Sequence, residues 1–189
     1  GIMAEALGMT LPGVAGTPAP DSRLLQAAHE SGRRIVDMVK VDLKVSQVIT
    51  RASFENAILA LAAVGGSTNA VVHLLAIAGR LGVSLKLEDF DRIGSRIPLL
   101  VNLQPSGKFL MEDFHRAGGL SAVFKQIEFL INASAITVTG KSITETIGSG
   151  EIYDSSVIST FKAPLKKEAG IAILRGNLAP DGAVIKPAA

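Results

Sequence analysis

Cysteine and tryptophan are both absent from these 189 residues. Without cysteine there is no disulfide framework, no thiol nucleophile and no cysteine-ligated metal within the chain. Aromatics are few, seven Phe and one Tyr, so no stacking platform for nucleic-acid bases is evident. An excess of one charge is missing as well: 19 Lys and Arg against 17 Asp and Glu leave a formal charge of +2. The basic residues occur as isolated pairs, Arg33-Arg34 and Lys166-Lys167, and not as a stripe that could follow a phosphate backbone. Nucleic acid is therefore not an expected partner, and neither is a membrane. Residues 56–79 carry no charge, a run long enough to span a bilayer. However, Gly65-Gly66-Ser67-Thr68-Asn69 would break a helix at mid-depth, so the run reads as two buried helices. The opening Gly1-Ile2-Met3-Ala4-Glu5-Ala6-Leu7-Gly8 has no cationic segment and too short an apolar one for a signal peptide. It reads as a helix entered partway along, and the expected location is cytoplasmic.

What is present suits a packed core. With 48% hydrophobic and 19% charged residues, disorder is excluded for most of the chain, and one domain, or one with part of another, is expected. Residues 11–20 hold Pro12, Gly13, Gly16, Pro18 and Pro20 and read as irregular backbone. Asp21 or Ser22 then caps a helix reaching about Lys40. On it Leu24, Leu25, Ala28, Gly32, Ile35, Val36 and Val39 recur at helical spacing, while Arg23, Glu30, Arg33, Asp37 and Lys40 fall mainly off that stripe. Thr50 caps a helix over 52–64, and Ser67 or Thr68 caps one over 68–81 stopped by Gly82, both read as nearly fully buried. A short helix around Asp89 and Asp91 precedes a buried strand at 97–103. Helices at 109–117 and 120–130, a short strand at 136–138 and a helix opened by the capping box Ser142-Ile143-Thr144-Glu145 follow. Beyond Gly150 helical periodicity fades. Apolar runs at 171–174 and 183–185 flank Asn177-Leu178-Ala179-Pro180-Asp181-Gly182 and read as a β unit at a domain junction.

Two turns are candidate sites. Gly65-Gly66-Ser67-Thr68-Asn69 joins two apolar helices, so its free N–H groups, hydroxyls and amide could hold a carboxylate or polyol; the plainer reading is an interhelical turn with a serine cap. Pro105-Ser106-Gly107-Lys108 follows the expected strand, where ligands gather in α/β folds; its plainer reading is an ordinary turn. Gly140-Lys141-Ser142 resembles the end of a phosphate loop, but Ala135 stands where the first glycine would be. Glu112 and His115 sit one turn apart with no second copy of the pair, which favours a solvated helix face over a metal site. His29 and His73 are lone histidines, and His73 reads as a core imidazole. No acid/base pair or nucleophile triad stands out.

Several stretches together resemble the dihydroxy-acid dehydratase and phosphogluconate dehydratase family. They are Glu5-Ala6-Leu7-Gly8-Met9, Gly32-Arg33-Arg34-Ile35-Val36, Phe54-Glu55-Asn56-Ala57, Gly65-Gly66-Ser67-Thr68-Asn69-Ala70-Val71-Val72-His73-Leu74-Leu75, Pro105-Ser106-Gly107-Lys108 with Met111-Glu112-Asp113, Thr137-Val138-Thr139-Gly140-Lys141, and Leu174-Arg175-Gly176-Asn177-Leu178-Ala179-Pro180-Asp181-Gly182. The resemblance implies a hydro-lyase that removes water from a 2,3-dihydroxy acid and yields a 2-keto acid through an enol. It also implies an iron–sulfur cluster whose iron is a Lewis acid for the departing hydroxyl, a Mg²⁺ held by carboxylates and a carbamylated lysine, and a serine base in a carboxy-terminal domain. The family's cluster cysteines lie upstream of its Glu-Ala-Leu-Gly-Met stretch, and this chain has none.

The chain is accordingly expected to be an internal portion of such an enzyme, with an α/β fold. A helix-rich, later part of the amino-terminal dehydratase domain is expected over 1–150, and the first strands of the carboxy-terminal β domain over 151–189. No catalytic or metal residue is carried over; Ser67, Thr68 and Asn69 are the expected substrate contacts. The iron–sulfur cluster and Mg²⁺ are expected in the complete enzyme and not on this chain, which is expected to be inactive alone and to self-associate as a homo-oligomer. The substrate expected is a dihydroxy acid of branched-chain amino-acid biosynthesis. Thr17-Pro18-Ala19-Pro20-Asp21-Ser22-Arg23, Leu100-Val101-Asn102-Leu103 and Met111-Glu112-Asp113-Phe114 look somewhat more like the aldonic (sugar) acid branch, which is the alternative. A non-catalytic polyol-acid binding module is the alternative of another class.

Overall fold

In the computed structural model, which describes residues 1–168 and 170–186, helices begin at the capping side chains. After α1 (Ile2–Ala6) and a 3₁₀ turn (Val14–Gly16), α2 (Ser22–Lys40) starts at Asp21, whose carboxylate accepts the Arg23 N–H at 2.9 Å. A single turn, α3 (Val45–Val48), leads to α4 (Arg51–Val64), where the Thr50 N–H donates to Ser53 Oγ at 2.8 Å. Next come α5 (Thr68–Arg80), α6 (Leu87–Gly94), α7 (Met111–Arg116) and α8 (Gly119–Gln126), with a 3₁₀ turn (Glu128–Leu130). In α9 (Ile143–Ile147) the expected box closes in both directions, Ser142 N–H to Glu145 Oε2 at 2.8 Å and Glu145 N–H to Ser142 Oγ at 3.2 Å. Strands β1 (Ala172–Gly176) and β2 (Ala179–Ile185) pair antiparallel, Ala172 opposite Ile185 and Leu174 opposite Ala183, across a two-residue turn at Asn177-Leu178. The architecture is thus the expected helix-rich portion followed by a first pair of strands. Residues 169 and 187–189 of the expected second unit lie outside the described residues.

The spine is α4. Every residue from Phe54 to Val64 except Glu55 is buried, and the helix packs against α1, α6 and α8. Phe54, Ile58 and Leu61 meet Phe114, Leu120 and Phe124 in one apolar cluster, and full burial of each such side chain is worth about 1.5–3 kcal/mol. The one buried amide on this helix is satisfied: Asn56 Nδ2 donates to the Asn132 carbonyl, and the Asn132 N–H donates to Asn56 Oδ1 at 2.8 Å. Arg51 opens α4 and ties it to α6 by a two-pronged ion pair with Asp89, at 2.5 and 2.9 Å.

Several expectations are corrected. The 97–103 segment is largely buried but forms no ladder; it meets single partners from separate stretches of chain, Leu99 with Lys166, Val101 with Ile158 and Leu103 with Phe109, so no one neighbouring strand runs alongside it. Ile136 likewise bridges only Ser142. The 109–117 and 120–130 helices are shorter than expected, and β2 begins already at Ala179. Of α5 only Val71, Leu74 and Ala78 are buried, while Val72 and His73 are exposed, because one side of the helix packs on the core and the other faces out. The apolar stripe of α2 also faces out: only Met38 of that helix is buried. Among the described residues no helix is long and apolar enough to cross a membrane.

Candidate functional site

The turn between α4 and α5 is built by its glycines. Gly65, at φ +59°, donates its N–H to the Ala62 carbonyl, and Gly66 donates to the Leu61 carbonyl at 3.0 Å. This closes the end of α4 as a Schellman motif. A Cβ on Gly65 would sit 2.7 Å from Leu99 Cδ1, and one on Gly66 would sit 2.5 Å from Leu61 Cδ1. Gly170 crosses so tightly that its Cβ would lie 2.3 Å from the Gly65 Cα. Ser67 then caps α5, its Oγ accepting the Asn69 N–H at 3.2 Å.

That crossing brings distant segments together. A cleft of about 560 Å³ is lined by Gly65, Gly66, Ser67 and Thr68 on one side, Leu103, Gln104, Pro105 and Met111 on another, and Lys186 at the exit of β2, with Gly1 to Met3 closing an end. A second hollow of about 190 Å³ shares Val64, Gly65, Leu103 and Lys186 with it and extends to Ser106 and Gly107. The two turns singled out in the sequence therefore face one depression. Asn69 is exposed and does not line it. The Gln104 turn is held by Asn102, whose Oδ1 accepts the Lys108 N–H at 3.0 Å, and by the Gln104 N–H donating to the Phe109 carbonyl at 2.9 Å.

Apart from Gln104, whose Nε2 donates to the Lys108 carbonyl at 3.5 Å, the cleft's polar side chains are largely uncommitted. Among the described residues the Thr68 hydroxyl and the Lys186 ammonium have no hydrogen-bond or ion-pair partner, and Ser67 Oγ acts only as an acceptor. Burial pushes the Lys186 pKa below the ordinary lysine value, since a charged amine without a counter-ion is disfavoured in a low-dielectric wall. The site thus offers a half-buried cation, two hydroxyls and the first turn of α5, whose dipole favours negative charge. That set can hold a carboxylate with neighbouring hydroxyls. Spacing could not single out Lys186, which appears in the sequence as one charge ending an apolar strand.

A separate hollow of about 340 Å³ is lined by Glu5, Arg23, His115, Arg116 and Tyr153. Burial and then Arg23 push the His115 pKa down, and Arg116 is paired with Glu112 on the face of α7. No metal set arises there: among the described residues no three His, Cys, Asp or Glu side chains come together as a ligand set. With no thiolate in the sequence and no cluster of carboxylates among the described residues, the donors present fit neither an iron–sulfur cluster nor a carboxylate-held Mg²⁺.

Comparison with known proteins agrees with the motif reading. Residues 1–146 match the model of the dihydroxy-acid/6-phosphogluconate dehydratase N-terminal domain, and residues 156–189 match that of the C-terminal domain. The chain is 55% identical to an L-arabonate dehydratase of Azospirillum brasilense over 99% of this chain and 33% of that protein. It is 52% identical to an L-arabinonate dehydratase of Rhizobium leguminosarum bv. trifolii over 98% of this chain and 32% of that protein. With a dihydroxy-acid dehydratase of Thermodesulfovibrio yellowstonii the identity is 48%, over 98% and 34%. The chain thus spans about a third of the length of these relatives.

Proposed function

The chain belongs to the dihydroxy-acid/6-phosphogluconate dehydratase family, and from that premise we propose that it is part of a cytoplasmic hydro-lyase acting on a polyhydroxy acid. The reaction removes the C2 proton and the C3 hydroxyl of a 2,3-dihydroxy acid as water, and the enol left behind tautomerises to the 2-keto acid. The observation that carries the reading for this chain is the cleft joining Ser67, Thr68, Gln104 and Lys186. The Lys186 ammonium pairs with the substrate carboxylate, Ser67 and Thr68 hydrogen-bond its hydroxyls, and the apolar wall of Leu61, Val64, Leu103 and Met111 excludes water. Holding the substrate this way fixes the C2–C3 bond against reacting groups that other residues supply, and orientation of this kind lowers the entropic part of the barrier. The iron–sulfur cluster and Mg²⁺, which would stabilise the departing hydroxide, are held on this reading by residues outside the 189.

Within the class, a sugar acid is the better-supported substrate. Identity reaches 55% and 52% with the two arabonate-type enzymes, against 48% and 43% with two dihydroxy-acid dehydratases. The branched-chain dihydroxy acid is the second reading. Kinetics of the complete enzyme test the role of the cleft. Lys186→Gln and Ser67→Ala/Thr68→Ala should each raise KM for the acid by about tenfold or more, which corresponds to about 1.4 kcal/mol, with little change in melting temperature. Unchanged kinetics in both variants would remove these residues from the site. Binding of the acid by an enzyme-length protein without turnover would point to a non-catalytic binding module instead.

A further inference from the structure

The hollow of about 190 Å³ opens off the cleft, and the two meet over a shared wall of Val64, Gly65, Leu103 and Lys186. Beyond that wall its polar side chains are Asn102, Ser106, Lys166 and Glu168. Two of these are held in place by backbone. The Leu99 N–H donates to the Lys166 carbonyl at 3.0 Å, and the Leu165 N–H donates to the Leu99 carbonyl at 3.0 Å. A few residues on, Gly170 is wedged against Gly65, so Glu168 lies between two fixed points. Ser106 is held as firmly: the Gly107 N–H donates to the Leu103 carbonyl at 2.7 Å, and a Cβ on Gly107 would lie 2.5 Å from the carbonyl carbon of Asn102.

Asn102 is already engaged at both ends of its amide, with the Lys108 N–H and the Ser156 carbonyl. Among the described residues, however, the Glu168 carboxylate and the Ser106 hydroxyl have no hydrogen-bond or ion-pair partner. The charges then order any ligand that fills both hollows. Lys186 and the first turn of α5 attract an anion into the cleft. Glu168, on the far side of Lys186's wall, repels a second anion and accepts hydrogen bonds from hydroxyl donors. A molecule suited to both therefore has a carboxylate at one end and hydroxyls at the other. An alkyl tail in the smaller hollow would take the Glu168 carboxylate out of water and give it no donor, which is unfavourable.

We infer that the hollow of Ser106 and Glu168 is the subsite for the distal hydroxyls of a sugar acid, and that Glu168 selects a polyhydroxy tail over a branched alkyl one. The inference rests on the reading of the cleft as the place of the acid's carboxylate and its C2 and C3 hydroxyls. From there the C4 and C5 carbons pass over the shared wall, and their hydroxyls bond Glu168 and Ser106.

Steady-state kinetics of the complete enzyme with L-arabonate, 5-deoxy-L-arabonate and 2,3-dihydroxy-3-methylbutanoate test it. Glu168→Leu should lower kcat/KM for L-arabonate by about tenfold or more and shift the preference toward the branched acid. The melting temperature should hold, since Glu168 is exposed; Glu168→Gln, which keeps the size, should shift the preference in the same direction. Removing the C5 hydroxyl should cost the unmodified enzyme a similar factor and cost Glu168→Leu little, because the contact is then already gone. Lys186→Gln should weaken all three acids alike. If it does so while the Glu168 variants leave the preference unchanged, or if loss of the C5 hydroxyl costs both enzymes equally, the subsite is overturned and the cleft reading stands. If Lys186→Gln changes none of the three, the cleft reading fails and the subsite with it. An enzyme that turns over the branched acid but not L-arabonate also overturns the subsite. So does one that prefers 6-phosphogluconate to L-arabonate and loses that preference in Lys166→Gln, since the hollow would then hold a phosphate.

Discussion

At Glu5 both carboxylate oxygens are committed: Oε1 accepts the Gly13 N–H at 2.8 Å and Oε2 the Ala15 N–H at 3.0 Å. Glu5 therefore pins the loop after α1. Its burial pushes the carboxyl pKa up, and the two amide bonds pull it back only in part. Replacing Glu5 by alanine strands two amides at about 1–3 kcal/mol each, partly offset by relief of the buried charge. A net loss of about 2 kcal/mol in urea unfolding is expected; an unchanged midpoint would contradict it. Asp89 has the opposite sign. The Arg51 guanidinium, with help from the Lys86 N–H and Arg92, holds its carboxyl far below the ordinary range. That pairing stabilises the fold at every pH above the ordinary aspartate value and is given up only as pH falls toward strong acid. Asp89→Asn should thus cost about 1–2 kcal/mol at pH 7, and its stability gap to the unmodified chain should narrow in acid. A gap that widens in acid would refute the pairing. Lys186, depressed by burial, gives the cleft a pH dependence too: affinity for an anion should fall as pH rises through the lowered lysine value.

The α4–α5 turn shows which features of an element a sequence displays. Thr50, the glycine pair and Ser67 announce the end of one helix and the start of the next because caps and left-handed glycines act within a few residues. The Ser142–Glu145 box was legible for the same reason, and so was the β1–β2 pair through its apolar runs. Periodicity, in contrast, shows that α2 has an apolar side but not which side meets the protein; Arg34 and Met38 decide that through Val138, far along the chain. The apolar 97–103 run likewise could not reveal that its partners offer single bridges and no ladder. At the turn itself Gly65→Ala should cost well over 1 kcal/mol, because φ +59° strains an L-residue and the new methyl would press on Leu99 Cδ1 at 2.7 Å. A thermal melt that leaves the variant as stable as the unmodified chain would show that Leu99 yields freely.

Across the whole molecule, α4 acts as the strut that relates the separate parts. Its buried faces fix α1, α6 and α8, and its Gly65 end receives Gly170, so that Lys186 arrives beside Ser67, Thr68 and Gln104. This convergence was the least legible part of the site. Ser67 and Thr68 were visible as a cap, but Lys186 joins them only through the backbone crossing, which no local pattern encodes. The family resemblance supplied the proposed reaction class, while the fold supplied the cleft in which we place a polyhydroxy acid. Titration of the isotopically labelled chain with L-arabonate, followed through its backbone amide resonances, tests that claim most directly. Shifts concentrated at Gly65, Gly66, Thr68, Gln104 and Lys186, and lost in Lys186→Gln, are the result predicted. Shifts confined to other surfaces, or shifts at the cleft that persist unchanged in Lys186→Gln, would contradict it.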